Sequence, residues 1–155
     1  MALTHRAPSR QAYIDKLAAV SLLRGLSRKE LEQVGRQVDD VIVDAGRVLV
    51  EEGRAGREFF VVLDGLAAVS RESTDLGVLV AGDCFGELAL LDRGLSCRPA
   101  STGGPCSATV TAVTPLEVLV FEQRAFRGLL SSIPRLAMNL LAVLAHQLRD
   151  ARAAA

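Results

Sequence analysis

The residues best suited to chemistry lie in one stretch that runs from Gly82 to Val113. Gly86 has no Cβ atom, so a ligand can approach its backbone closely. The segment Phe85–Leu91 can begin a short helix, and the first amides of a helix are unpaired donors that favour an anion such as phosphate. Glu87 lies beside those amides and offers acceptors for the hydroxyl groups of a sugar. Residue type and spacing therefore predict a pocket for a nucleotide.

Two motifs in this stretch resemble those of a known family. The segments Phe85–Leu91 (FGELALL) and Ser107–Ala112 (SATVTA) look like the phosphate-binding cassette of cyclic nucleotide-binding domains. That family includes the bacterial catabolite activator, protein kinase A regulatory subunits and cyclic nucleotide-gated channels. The dipeptide Gly82-Asp83 resembles the one that precedes the family's cassette, and Glu52–Gly65 resembles its glycine-punctuated second and third strands. The resemblance extends from about Leu17 to the C-terminus.

The resemblance implies a role for each matching residue of the cassette. Glu87 would bond the ribose 2′-hydroxyl, and Ser107 would reach the phosphate through its hydroxyl or its amide. Gly86, Leu88 and Ala89 would present backbone amides to the phosphate and the sugar. The set implied to bind the ligand comprises Phe85, Gly86, Glu87, Leu88, Ala89, Arg98, Ser107 and Ala108. Two other interpretations stay open: Glu87 could satisfy unpaired helix amides, and Ser107 could be an ordinary strand residue.

One position departs from the family pattern. The family places an arginine directly before its Ser-Ala-Thr stretch, and Cys106 stands at that position here. A guanidinium is the natural counter-ion of a cyclic phosphate, and a neutral thiol cannot replace it. Arg98, eleven residues after Glu87, is the first candidate to serve instead, and Arg93 is the second. In the other interpretation the pocket has lost its counter-ion and no longer binds cyclic nucleotides well.

The resemblance implies a regulatory domain that binds a cyclic nucleotide, cyclic AMP in preference to cyclic GMP, and needs no cofactor. Binding would be converted into movement of the C-terminal helices. The alternative is a degenerate domain of the same fold that binds no nucleotide and acts as a protein-interaction or dimerisation module. No helix-turn-helix module follows the last helix, so the output is expected to pass to an effector protein or domain. A homodimer through the C-terminal helix is a further expectation.

The composition of the chain argues against several other classes of function. Eighteen basic and eighteen acidic residues cancel, so no excess positive charge indicates direct binding to nucleic acid. His5 and His146 are isolated, the three cysteines have no metal-ligand spacing, and no nucleophile elbow is present; we therefore predict neither a metal site nor an enzyme. Without an apolar leader or a membrane-length apolar run, the chain is expected to be cytoplasmic and to make no membrane contact.

The period of the apolar residues changes from helical to strand-like and back along the chain. Residues 1–8 are expected to form a disordered leader and residues 9–155 a single domain. That domain comprises helices over 9–38, a β-roll over 39–121 with the cassette at 82–110, and C-terminal helices over 122–153. Short strands at near-regular spacing predict an antiparallel sandwich or roll. The resemblance implies a mainly β fold, an eight-stranded antiparallel, jelly-roll-like β-roll (a double-stranded β-helix) with N-terminal helices and a C-terminal helix pair.

Four local signals make this prediction more specific. Ser27 and Glu30 form a capping-box pattern at the start of a helix. The dipeptide Asp64-Gly65 predicts a hairpin, and a strand is expected over Gly77–Ala81 after a polar turn. In the last helix, an apolar seam that would pack against another helix or against the roll is expected at Ala137, Leu141, Leu144, Leu148 and Ala151.

Overall fold

The computed structural model describes residues 9–54, 57–86 and 108–154 of the 155-residue chain. Their contacts form two compact units. One unit spans Val38–Gln123, and the other combines residues 9–37 with residues 124–154. The first unit contains the strands, and the second contains the helices that precede and follow them.

The helical elements begin and end close to their predicted positions. They are α1 (Arg10–Ala18), a 3₁₀ turn (Ser21–Leu23), α2 (Arg28–Gly35), α3 (Gln123–Ser132) and α4 (Pro134–Ala154). The capping box is confirmed, since the Glu30 amide donates to Ser27 Oγ at 3.2 Å and the Ser27 amide donates to Glu30 Oε1 at 2.9 Å. These bonds satisfy two amides that the first turn of α2 would otherwise leave unpaired.

Side-chain hydrogen bonds join the N-terminal helices to the C-terminal pair. The Asn139 side-chain nitrogen donates to the carbonyl oxygens of Leu22 and Arg24 at 2.8 and 2.7 Å. The Gln33 side-chain nitrogen donates to Ser132 Oγ at 2.9 Å. The side-chain amide of Asn139 in α4 therefore satisfies two carbonyls at the end of the 3₁₀ turn, where the backbone has no further helical donors for them.

The buried stripe of the C-terminal helices differs from the predicted seam. It consists of Phe126, Leu129, Ile133, Leu136 and Leu140. Leu141 is 60% exposed, so at this position the predicted seam does not pack within the chain, and its packing against another helix stays a prediction. Spacings of three and four fit both stripes, because on a helix they describe any pair of adjacent apolar rows. Only packing decides which of the two rows is covered.

Among the described residues, no single helix is both long enough and apolar enough to cross a membrane. Gln123–Ser132 and Pro134–His146 reach the required length and composition only as a pair, and the two are bent by 113° at the break between them. Phe126, Leu129 and Leu136 of this pair are buried inside the protein.

The described residues of the first unit form eight strands. These are β1 (Val38–Val43), β2 (Val48–Val50), β3 (Glu58–Asp64), β4 (Ala67–Arg71), β5 (Thr74–Leu79), β6 (Cys84–Phe85), β7 (Thr109–Ala112) and β8 (Leu116–Glu122). Sheet A has the order β1-β8-β3-β6 and sheet B the order β2-β7-β4-β5. Neighbouring strands are antiparallel in both sheets. The predicted eight-stranded antiparallel roll with helices at both ends is confirmed.

The core of the roll lies between the two sheets. Sheet A contributes Phe60, Val62, Phe85, Leu116 and Val118, and sheet B contributes Ala67, Val110 and Ala112. In sheet A the alternate residues, such as Phe59 and Phe121, are fully buried as well. The central strands β3 and β8 of sheet A are therefore buried on both faces over most of their length, which explains why β3 is a continuous apolar run rather than an alternating one.

The hairpin predicted at Asp64-Gly65 is wrong. The strand before it, β3, pairs with β6 and β8 in sheet A, and the strand after it, β4, pairs with β5 and β7 in sheet B.

The hairpin between β4 and β5 corrects one predicted strand. The strand expected over Gly77–Ala81 begins earlier, at Thr74, and ends at Leu79. The turn before it consists of only two residues, Glu72 and Ser73, with φ angles of +49° and +64°. Two successive positive φ values define the tight turn that suits the twist of a hairpin. Since neither residue is glycine or asparagine, the sequence carries no signal for this turn.

Candidate functional site

The candidate site begins at the turn that precedes β6. The Asp83 amide donates to the Val80 carbonyl at 3.0 Å, and the Val80 amide donates to Asp83 Oδ2 at 2.8 Å. Gly82 has a φ of +95°, and its amide donates to the Val62 carbonyl at 2.8 Å. A positive φ favours glycine at that position. The Gly-Asp dipeptide thus fixes the start of β6 through backbone conformation and one carboxylate.

The two residues of β6 are anchored in the roll. Phe85 lies directly opposite Phe60 of β3, and their rings stack with centroids 4.7 Å apart and planes 9° apart. Cys84 lies opposite Val61 and is a buried thiol. Phe85 itself is a strand residue, because pairing with β3 and burial of its ring favour the extended backbone. The short helix expected within Phe85–Leu91 lies almost wholly outside the described residues and stays a prediction.

Gly86, which follows β6, is a glycine because of its own protein surroundings. Its φ is +89°, and a Cβ atom placed on it would lie 2.6 Å from the carbonyl oxygen of Glu58. Both the backbone conformation and the close approach to β3 exclude a side chain. From the sequence alone, the only reason for a glycine at this position is that it gives a ligand access to the backbone. The structure shows a second reason, the close approach to Glu58, which requires glycine even when no ligand is bound.

Hydrogen bonds connect Thr109, at the C-terminal end of the cassette, to two loops that are distant in the sequence. The Glu52 amide donates to Oγ1 of Thr109, the second described residue after the cassette loop, at 3.1 Å. The Glu52 carboxylate in turn accepts from the Glu72 amide, with distances of 3.0 and 3.2 Å to its two oxygens. The sequence analysis did not identify Glu52 and Thr109 as positioning residues. Their partners lie 20 and 57 residues away along the chain, so no local pattern could identify them.

The two described ends of the cassette are fixed in the same core but in different sheets. Phe85 of β6 belongs to sheet A and Val110 of β7 belongs to sheet B, and both are members of the cluster between the sheets. The intervening residues therefore connect one sheet to the other. This is a suitable place for a binding loop, because a rigid scaffold holds both of its ends.

The structure describes three of the eight residues predicted to bind the ligand. The Phe85 ring is buried in the core, so a ligand could meet only its backbone. Gly86 is held against Glu58, and Ala108 is half-buried next to β7. The remaining predicted residues, together with both alternatives at the arginine position, lie outside the described residues; they are Glu87, Leu88, Ala89, Arg98, Ser107, Arg93 and Cys106.

The described part of the site consists of backbone turns and packed aromatic side chains. Across residues 9–54, 57–86 and 108–154, no group of three or more His, Cys, Asp or Glu side chains is placed to hold a metal ion. His146 is exposed on α4.

Comparisons with known proteins agree on one family. Residues 41–132 match the sequence profile described as "Cyclic nucleotide-binding domain". The chain is 29% identical over 131 residues to the cAMP-dependent protein kinase regulatory subunit of Schizosaccharomyces pombe, a match that covers 84% of this chain and 29% of that protein.

Solved structures give the same result. The regulatory domain of Toxoplasma gondii PKA in complex with cAMP matches with a TM-score of 0.70 and 26% identity, over 89% of this chain and 50% of that one. The Thermus thermophilus catabolite activator protein matches with a TM-score of 0.68 and 26% identity, over 85% of this chain and 60% of that one. The chain thus spans less than two thirds of the length of each of these relatives.

Proposed function

Because the chain belongs to the cyclic nucleotide-binding domain family, we propose that it is a regulatory domain that binds a cyclic purine nucleotide reversibly. Cyclic AMP is the proposed ligand, in preference to cyclic GMP. The similar Schizosaccharomyces pombe protein is a regulatory subunit of a cAMP-dependent protein kinase, and the Toxoplasma gondii domain was solved with cAMP, which supports this choice. The proposal treats residues 9–155 as one domain without catalytic activity.

The observation that carries the proposal is the geometry at the end of β6. The Gly82-Asp83 turn and the stacked Phe85 ring fix the strand, and the close approach to Glu58 fixes Gly86. Gly86 therefore has a defined backbone position directly before the residue at which the family pattern has its glutamate. A binding site needs such preorganisation, because every bond to the ligand then forms without a further ordering cost.

Within this proposal, each cassette residue contacts a different part of the ligand. Glu87 accepts from the ribose 2′-hydroxyl, and the amides of Gly86, Leu88 and Ala89 donate to the phosphate and sugar oxygens. Ser107 and Ala108 reach the phosphate from the exit side. Arg98 is the proposed counter-ion of the phosphate, with Arg93 as the alternative.

The proposed output is movement of the C-terminal helices, α3 and α4. A ligand can shift such an equilibrium only by as much as it binds one conformation better than the other. The movement would be passed to an effector protein or domain. A cytoplasmic location is part of the same proposal.

A second candidate function rests on one observation, the neutral Cys106 at the position of the family's arginine. An uncompensated phosphate in a partly desolvated site costs several kcal/mol, which is enough to remove micromolar affinity. In that case the chain would be a degenerate member of the family that acts through protein contacts.

Isothermal titration of the purified chain with cyclic AMP, and with cyclic GMP as comparison, tests the proposal. We expect saturable binding in the micromolar range, tighter for cyclic AMP, with a matching rise in thermal stability. Absence of both heat and thermal shift at millimolar nucleotide would contradict the proposal and favour the degenerate domain.

A further inference from the structure

The outward face of sheet B has an unusual composition. Ala67, Val69, Val110 and Ala112 point inward to the core or pack against it, so the residues that alternate with them point outward. In an antiparallel sheet with one buried face, the outward residues are commonly polar. Here many of them are large and aliphatic.

Six large aliphatic side chains lie on this face or at its edge, each 39% to 55% exposed. They are Val48, Leu66, Leu76, Val78, Val80 and Val113. Only three other large apolar side chains in the described part of the chain are comparably exposed, namely Ile42, Met138 and Leu141. Exposed apolar side chains are therefore concentrated on one surface instead of being scattered singly.

The strand register shows that these side chains form continuous rows. Val48 pairs with Thr111, Thr111 with Ala68, and Ala68 with Val78, so one row crosses all four strands without a charge. In the next row, the Val113 amide donates to the Leu66 carbonyl at 2.9 Å.

Charge appears on this sheet only at its margin, as far as the described residues show. Asp75 lies opposite Ser70 on the edge strand, and Arg71 lies opposite Thr74 at the hairpin tip. An uncharged centre with a polar rim is the usual anatomy of a protein–protein interface. Sheet A offers a contrast, since its central strands β3 and β8 are buried on both faces over most of their length.

We propose that the outward face of sheet B is the interface of a symmetric homodimer. An uncharged face binds best to another uncharged face, because no charged group then has to lose its bound water on contact. A second copy of the chain supplies an uncharged face of identical size. The formal net charge of the chain is zero, so two copies approach without long-range repulsion. The two faces would pack as aligned sheets about 10 Å apart.

The size of the face sets the expected affinity. Four strands about 4.8 Å apart and about five residues long present a face of roughly 20 by 17 Å. Two such faces together cover roughly 700 Å² in flat projection, which is below the size of standard interfaces and typical of weak, transient contacts. The dimer is therefore expected to dissociate at high micromolar concentration.

The edge of sheet B is a poorer contact than its face. In β5, Ser70 faces Asp75 and the adjacent Val69 faces Gly77, so Leu76 is the extra residue of a β-bulge. The carboxylate of Asp75 also accepts from the Gly77 amide at 3.0 Å. Bulges and charged residues on an edge strand obstruct pairing with another strand. The second copy would therefore pack on the face of the sheet.

Sedimentation velocity of the whole chain, over a range of concentrations and with or without cyclic AMP, tests this proposal. Val78→Lys and Val48→Lys place a charge on the face and are expected to weaken the dimer roughly tenfold or more. Leu141→Lys, at an equally exposed position on α4, is the matched control and is expected to leave the dimer unchanged. Thermal unfolding of each variant confirms that it is folded, and since all three positions are exposed we expect little change there.

Three outcomes would overturn the proposal. The first is a chain that stays monomeric at several hundred micromolar with and without nucleotide. The second is a dimer that is insensitive to both sheet substitutions. The third is a dimer that Leu141→Lys disrupts and the sheet substitutions do not, because the interface would then lie on the C-terminal helix. None of these outcomes depends on whether the nucleotide binds.

Discussion

The backbone of Gly86 passes so close to that of Glu58 that a Cβ atom on Gly86 would lie 2.6 Å from the Glu58 carbonyl oxygen. This contact joins the end of β6 to the beginning of β3. It means that the glycine of the Phe-Gly-Glu motif is required by the fold before any ligand arrives. A substitution there therefore reports on folding, and residues 87–107 must be used to test binding.

Gly86→Ala is expected to destabilise the chain by about 2–4 kcal/mol, because alanine meets both the positive φ and the Glu58 carbonyl. Gly128→Ala in α3 is the matched control, since a Cβ atom there meets nothing within 4 Å. The free energy of unfolding of that variant is expected to rise by about 0.5–1 kcal/mol, because alanine lowers the backbone entropy of the unfolded chain. Urea unfolding measures both, and equal stabilities for the two variants would contradict the proposed role of Gly86.

Arg98→Ala is expected to raise the dissociation constant of cyclic AMP about ten- to a hundredfold, since a charge-assisted bond to phosphate contributes about 1.5–3 kcal/mol. Arg93→Ala is the control and is expected to change the constant by less than about threefold. Isothermal titration compares the two. Unchanged affinity in the Arg98 variant would sink the role assigned to that residue, and a loss confined to the Arg93 variant would transfer the role.

Glu52→Ala is expected to destabilise the chain by about 1–2 kcal/mol, because the amide of Glu72 loses its carboxylate acceptor in a turn with two positive φ angles. Glu51→Ala removes only an exposed ion pair with Arg54 and is expected to cost less than about 0.5 kcal/mol. Thermal unfolding separates the two variants. If Glu51→Ala proved as damaging as Glu52→Ala, the contribution of the Glu52 hydrogen bonds would be refuted.

Asn139→Ala is expected to cost about 1–3 kcal/mol, because the carbonyls of Leu22 and Arg24 lose their donor. Met138→Ala, one residue earlier on the exposed side of α4, is the control and should lie within about 0.5 kcal/mol of the parent chain. Chemical denaturation measures this difference. Amide hydrogen exchange in residues 21–26 provides a second readout, which should accelerate only in the Asn139 variant.

Several features were predictable because the cause and the effect are close together in the sequence. The capping box needs only Ser27 and Glu30, which are three residues apart. The turn before β6 needs Gly82 and Asp83, whose carboxylate reaches back to Val80. Local hydrogen bonds of this kind depend little on the rest of the fold.

Other features could not be predicted locally, because distant residues decide them. Phe85 lies in the segment expected to begin a short helix, yet it is a strand residue whose ring stacks on Phe60, 25 positions earlier in the chain. On α4, the row through Leu140 is buried and Leu141 is exposed, and spacing alone does not make this choice. The hairpin at Glu72 and Ser73 has no glycine or asparagine to indicate it, and it is supported by Glu52 from another loop.

The sequence by itself determined the family, the order of helices and strands, and the segment that holds the candidate site. It did so because periodicity, turn residues and spaced motifs are properties of neighbouring residues. Only the tertiary structure decided that Gly86 must be glycine to pass Glu58, and that Glu52 links the cassette exit to a hairpin. It also decided that one face of sheet B is left apolar and exposed. These features depend on burial and cross-strand register, which join residues far apart in the chain.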